Sequence, residues 1–140
     1  MKTRIKKKNK FPKLKRYRFR IPFLGIMLVI GPEKEAIKYQ EWFFEKAEIK
    51  NLSGTGGDKT SGKTFFVPGY ELLIWLPHKP KDIYNLGSLV HECLHATFYV
   101  AQFLNLKYKK TSEETNEEFF AYFLNWLFES ICEALKVKIK

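Results

Sequence analysis

Cysteine is scarce in this chain. Only Cys93 and Cys132 occur among 140 residues, and both lie in apolar stretches of helical pattern. This placement suits reduced core thiols better than a disulfide framework, so we expect a reducing compartment such as the cytoplasm. Long hydrophobic runs are missing too, since residues 21–30 are interrupted by Pro22 and Gly25 and reach about half the length of a membrane span. No small-residue cleavage site follows them, so export is not expected either.

Acidic residues are absent from the first 20 positions, which hold eleven of the 25 Lys and Arg residues. The rest of the chain carries 14 basic against 15 acidic groups, so the net charge of +10 arises in the N-terminal segment. Because like charges repel, we expect residues 1–15 to form a disordered basic arm ahead of one folded domain, residues 16–140. Its partner class is open between nucleic acid, an acidic protein surface and anionic lipid, and a plain solubility tail is the alternative.

The apolar pattern predicts strands in the first half of the chain and helices in the second. Residues 16–21 alternate basic and apolar side chains, the two-residue period of a strand, and should form a hairpin with residues 26–30. Three helices and two further strands complete the order: helix 32–50, strand 65–67, strand 71–76, helix 82–106 and helix 111–135. We therefore predict an α+β domain with a small, mostly antiparallel sheet packed against two C-terminal helices.

A glycine-rich segment, residues 51–62, separates the first helix from the later strands. Its end, Gly57 to Thr64, satisfies the spacing G-x-x-x-x-G-K-[ST] of a phosphate-binding loop. Such a loop connects a buried strand to a helix whose N-terminus receives phosphate. Here a polar segment precedes the match and a strand pattern follows it, so we interpret the match as coincidental and the segment as a flexible loop.

Residues 91–95 read His-Glu-Cys-Leu-His within the first C-terminal helix. Side chains four residues apart lie one turn above one another, so His91 and His95 project from one face and can bind one metal ion. Zinc is the ion that such a pair most often holds. Glu92 is rotated by about 100° from His91, where it can act as general base on a zinc-bound water without being a ligand. A chance match on a helix surface is the alternative, but the apolar cover along this helix favours the motif.

A catalytic zinc usually has three protein ligands, and the third is not in the same helix. Residues 96–106 contain neither the glycine nor the histidine that would continue H-E-x-x-H in metzincins. A glutamate of the next helix remains. The polar stripe of that helix favours Glu118, whereas Glu117 lies nearer the apolar sector and would be chosen by burial alone. Two further glutamates precede them, Glu113 and Glu114.

The segment HECLHA, followed by Glu118 and then by AYFLNWLF, resembles the small H-E-x-x-H zincin-like proteins common in tailed-phage genomes, where E-x-x-A-Y follows in the next helix. The spacing is also similar to that of the thermolysin-like gluzincins. The resemblance covers about residues 72–131 and implies a minimal zincin-like fold with residues 72–76 as the edge strand beside the substrate. It implies Glu118 as the third zinc ligand. It also implies a location in the host cytoplasm or in the virion.

Motif and resemblance together predict a zinc-dependent metallopeptidase-type hydrolase that acts on a peptide or protein, with Glu92 as its base. The alternative is a phage structural or assembly protein, in which zinc staples the last two helices and the basic arm binds nucleic acid or a partner. Glu92 favours the enzyme, because a structural site needs no carboxylate beside its first histidine. Two other candidate donors, His78 and Tyr122, are interpreted as a surface loop residue and an interfacial aromatic.

Overall fold

Four strands and three helices make up the described part of the chain, an α+β fold as the sequence predicts. The computed structural model describes residues 11–22, 24–46, 62–66, 71–106 and 117–138. In chain order the elements are β1 (Lys15–Ile21), β2 (Leu24–Ile30), α1 (Glu33–Lys46), β3 (Lys63–Phe66), β4 (Glu71–Leu76), α2 (Ile83–Phe103) and α3 (Glu117–Leu135).

The four strands form one mixed sheet in the order β1-β2-β4-β3. β1 and β2 are the predicted hairpin, antiparallel with Lys15 opposite Ile30 and Ile21 opposite Leu24. β2 and β4 run parallel, a pairing not predicted from the sequence, and β3 pairs antiparallel with β4. Two of the three pairings are therefore antiparallel, and the central one is parallel.

The two central strands, β2 and β4, are almost continuously apolar because both of their faces are covered. One face packs against α2 and α3 through residues such as Ile26 and Ile74, and Leu89 of α2 and Leu127 of α3 are fully buried there. The other face, which includes Val29, packs against α1. The sheet thus lies between α1 on one side and the two C-terminal helices on the other.

The edge strand next to α2 is β3, not the segment 72–76 that the resemblance implied. That expectation is wrong, because β4 pairs on one side with β2 and on the other with β3. Burial of β4 on both faces accounts for its continuous apolar run. β3 is only four residues long and half-buried where its side chains are described, which is typical of an edge strand.

The folded part of the chain begins earlier than the expected boundary at residue 15. Phe11 and Leu14 are buried, and the Phe11 ring meets the Tyr39 ring of α1 edge-on at 5.1 Å between centroids. Gly31 allows the backbone around Lys13 to pack this close to the end of β2, because at its φ of +156° a Cβ would lie 2.6 Å from the carbonyl oxygen of Lys13. The sequence did not predict that Phe11 and Leu14 are buried, because basic residues surround them in the chain. Residues 1–10 of the expected arm lie outside the described ranges.

The helix that carries the histidine motif starts as predicted. The Asp82 side chain accepts a hydrogen bond of 2.9 Å from the backbone N–H of Asn85 and so caps the N-terminus of α2. The described part of α3 starts at Glu117, and its predicted cap at Thr111 lies outside the described residues. Among the described residues no helix has the length and apolar character needed to cross a membrane.

Candidate metal and catalytic site

His91 and His95 lie together on one exposed face of α2, as the four-residue spacing predicts. Their Nε2 atoms are 3.0 Å apart, and their ring centroids are 4.6 Å apart with an interplanar angle of 82°. Two imidazole nitrogens at this distance either share one proton or offer both lone pairs to a cation. The exposure of both rings leaves room for further ligands on the solvent side.

The Glu92 side chain extends from α2 toward the edge strand β3, and the residue is only 5% exposed. The Thr64 hydroxyl donates to its Oε1 at 2.7 Å, the length of a charge-assisted hydrogen bond. A carboxylate removed from water needs such a donor, because burial without one costs several kcal/mol. The β3 strand therefore supplies the polar partner that makes the burial of Glu92 tolerable.

An open cleft of about 280 Å³ joins these groups. One wall is α2 and the other is the start of β3. Seven residues line it: Gly62, Lys63, Thr64, His91, Glu92, His95 and Tyr99. Two imidazoles and a carboxylate thus border one solvent-accessible space. The carboxylate of Glu92 is buried, whereas both histidines are exposed.

The predicted third ligand is not brought to the histidines. Glu118 is exposed in the first turn of α3, as is Glu117. Within the ranges that the structure describes, no three side chains of His, Cys, Asp or Glu are grouped so as to hold a metal ion. Glu113 and Glu114 lie outside those ranges. The choice of Glu118 over Glu117 therefore stays a prediction.

Four residues of the cleft were not predicted as site residues from the sequence. Tyr99 follows His95 by four residues, so helical spacing was a signal that could have placed it on the same face. The other three, Gly62, Lys63 and Thr64, belong to the apparent phosphate loop. Lys63 and Thr64 lie in an extended strand and not at a helix N-terminus, so the strand predicted to follow the match is confirmed.

Neither of the two other candidate donors borders the cleft. His78 is exposed, and its Nδ1 lies 3.0 Å from the carbonyl oxygen of the next residue, Lys79. Tyr122 is 69% exposed on α3. Both positions agree with the surface interpretation given to them from the sequence.

Cys93 lies within the motif but faces the core. Its side chain is fully buried, and burial raises the pKa of its thiol from 9.0 to about 12. A thiol with so little thiolate is a poor metal ligand and nucleophile. Cys132 is half-buried, and both cysteines are free thiols, as expected.

Comparison with known proteins gives no relative from which a function could be transferred. The cleft residues therefore have to be interpreted by their own chemistry. No family model matches the chain, and neither a curated protein nor a solved structure is found to be similar to it.

Proposed function

We propose that this chain is a zinc-dependent hydrolase of the metallopeptidase type with a minimal zincin-like fold. In this proposal His91 and His95 bind zinc, Glu118 completes the ligand set and Glu92 is the general base. The observation that carries it is the position of Glu92, a buried carboxylate that borders the same cleft as the two exposed imidazoles.

The histidine pair fits a zinc ion. Zinc–nitrogen bonds of about 2.0 to 2.1 Å at a tetrahedral angle separate two ligand nitrogens by about 3.3 Å. The Nε2 atoms of His91 and His95 are already 3.0 Å apart, so a small opening of the pair suffices. A zinc ion bound there would act as a Lewis acid toward water or a substrate carbonyl.

Glu92 supplies the proton transfers. Its carboxylate lies one residue from His91 but points to the side of β3, so it borders the cleft without joining the imidazole pair. From this wall it can take a proton from an attacking water and deliver it to the leaving nitrogen of a peptide bond. General-base catalysis of this kind typically contributes about 10²- to 10⁴-fold to the rate.

The edge strand favours a peptide as the substrate. β3 pairs only with β4 in the sheet, so its other side is free of strand partners among the described residues. An extended peptide can add to such an edge through main-chain hydrogen bonds. A peptide bound beside β3 would pass along the cleft that Glu92 borders.

The alternative is a structural zinc that joins α2 to α3, in a phage assembly protein whose basic arm binds nucleic acid or a partner. The contact between these helices gives this alternative less support. Ala96 and Val100 of α2 and Leu127 and Ile131 of α3 already share one fully buried core. A metal staple is most valuable where such a core is missing.

The substitution Glu92→Gln tests the enzyme proposal. It keeps the size of the side chain and an acceptor for Thr64 but removes the base. Hydrolysis of a diverse peptide library should fall by at least about 10²-fold, while zinc content and melting temperature stay near those of the wild type. Glu129→Gln, an exposed change on α3, is the matched control and should leave hydrolysis unchanged. Equal cleavage by the wild type and Glu92→Gln would contradict the proposed role, and a wild type that cleaves nothing would favour the structural zinc.

A further inference from the structure

The start of β3 is hydrogen-bonded to α2 at Glu92. The Thr64 hydroxyl lies 2.7 Å from Glu92 Oε1 and 3.1 Å from the Glu92 carbonyl oxygen. A hydroxyl has one proton, and the carboxylate is the stronger acceptor at the shorter distance, so the proton goes to Oε1. Among the described residues no other hydrogen bond to the carboxylate is found, so Oε2 has no protein donor there.

Gly62 makes this contact possible through its lack of a side chain. A Cβ at this position would lie 3.0 Å from Glu92 Cγ and 3.0 Å from the carbonyl oxygen of Trp75. Trp75 belongs to the central strand β4, so its backbone cannot move aside without disturbing the sheet. Gly62 therefore lets the chain pass between β4 and the Glu92 side chain at a distance at which an added Cβ would force its neighbours to shift by a few tenths of an ångström.

Gly62 and Thr64 are two residues apart along extended chain, so their side-chain positions face the same side of the sheet. That side is the one on which Glu92 lies. Gly62 and Thr64 of the apparent phosphate loop thus have a different physical role. The glycine allows close approach to Glu92, and the hydroxyl two positions later donates a hydrogen bond to it.

We propose that Gly62 and Thr64 are positioning residues that hold the Glu92 carboxylate in a single orientation, with Oε1 bound to Thr64 and Oε2 directed to the cleft. The catalytic consequence rests on the proposed hydrolase function, whereas the orientation itself does not. A free glutamate side chain has three rotatable bonds, and fixing them before substrate binds removes an entropic cost from the proton-transfer step.

Kinetics of two Thr64 variants test the catalytic consequence. Thr64→Val keeps the shape and removes the donor, so kcat for peptide hydrolysis should fall by about tenfold to 10²-fold with KM little changed. Thr64→Ser restores the hydroxyl and should recover most of the lost kcat. A fall that serine does not rescue, or one that appears in KM alone, would overturn the positioning role.

Thr97→Val is the matched control. Thr97 is a fully buried threonine of α2, and its hydroxyl also donates at 2.7 Å, but to the carbonyl oxygen of Cys93 and away from the cleft. This variant loses a buried hydrogen bond of the same length without touching Glu92. Its kcat should match that of the wild type below its melting temperature. An equal loss of kcat in Thr97→Val and Thr64→Val would show that general destabilisation explains both.

A stability cycle separates failure of this proposal from failure of the hydrolase proposal, because it needs no substrate. Urea unfolding of the metal-free protein is compared for the wild type, Thr64→Val, Glu92→Met and the double variant. Contacting residues are non-additive, so the double variant should unfold with a midpoint higher than the two single losses predict when summed. Additive losses would overturn the contact. Coupling in a protein that hydrolyses no peptide would confirm the contact and refute the hydrolase.

Discussion

His91 Nε2 lies 3.0 Å from His95 Nε2 on the face of α2 that borders the edge strand β3. Two nitrogens at that distance cannot both carry a proton toward each other, and a cation between them would satisfy both lone pairs. The pair is fixed by helix geometry alone, since both residues belong to one continuous helix and follow its four-residue spacing. The site is completed only if a side chain from another element joins them.

Glu118 should be the residue that joins the pair. Glu118→Gln is expected to weaken zinc binding at least tenfold, the lower range for loss of an important metal contact, whereas Glu117→Gln should change it little. Competition with a chromogenic chelator measures both affinities. The two substitutions are matched, because both residues are exposed in the first turn of α3. The reverse ranking would assign the ligand to Glu117.

Two glycines should respond in opposite ways to alanine. Gly87 lies in α2, and among the described residues no heavy atom apart from the adjoining backbone of its own helix lies within 4 Å of the position that a Cβ would take there. Gly87→Ala should therefore stabilise the protein by about 0.5 to 1 kcal/mol through helix propensity. Gly62→Ala should destabilise it by about 1 to 3 kcal/mol, because the new methyl group meets Glu92 and the Trp75 backbone. Urea unfolding measures both. If Gly62→Ala left the free energy of unfolding unchanged, β3 would be free to move away from Glu92.

The N-terminal segment should bind polyanions independently of zinc. Since Phe11 and Leu14 are buried, the deletion that tests this ends at residue 10 and leaves the packed residues intact. Affinity for single-stranded DNA should fall steeply with salt concentration, and the deletion should abolish binding. A plot of log affinity against log salt concentration should have a slope near −4 if all six basic groups of residues 1–10 contact phosphate. Fluorescence anisotropy at several salt concentrations measures the slope. Equal binding by the intact and shortened proteins would assign it to another surface. The six residues are Lys2, Arg4, Lys6, Lys7, Lys8 and Lys10.

Local pattern was sufficient to predict most of the elements. The alternation in residues 16–21 indicated β1 and its hairpin with β2, and the Asp82 cap indicated the start of α2. These features depend on neighbours in the chain, where periodicity and capping act. The same holds for His91, Glu92 and His95, whose geometry follows from one helix.

Partners from distant segments could not be predicted in this way. The parallel pairing of β2 with β4 puts β4 at the centre of the sheet. The continuous apolar run of β4 is consistent with a buried strand, but no local signal identifies β2 as its parallel neighbour. Thr64 meets Glu92 across 28 positions of sequence. Its role depends on the packing of β3 beside α2, which only the fold reveals.

Zinc content of the purified protein, measured by inductively coupled plasma mass spectrometry, tests the central claim most directly. The wild type should carry about one zinc per chain, and a chelator should lower its melting temperature because the ion stabilises the folded state by mass action. His91→Ala and His95→Ala should each lose the metal, while the neighbouring exposed change Leu94→Ala should retain it. A wild type without zinc that takes up none when zinc is added, or stoichiometric zinc in both histidine variants, would contradict the metal site and the hydrolase built on it.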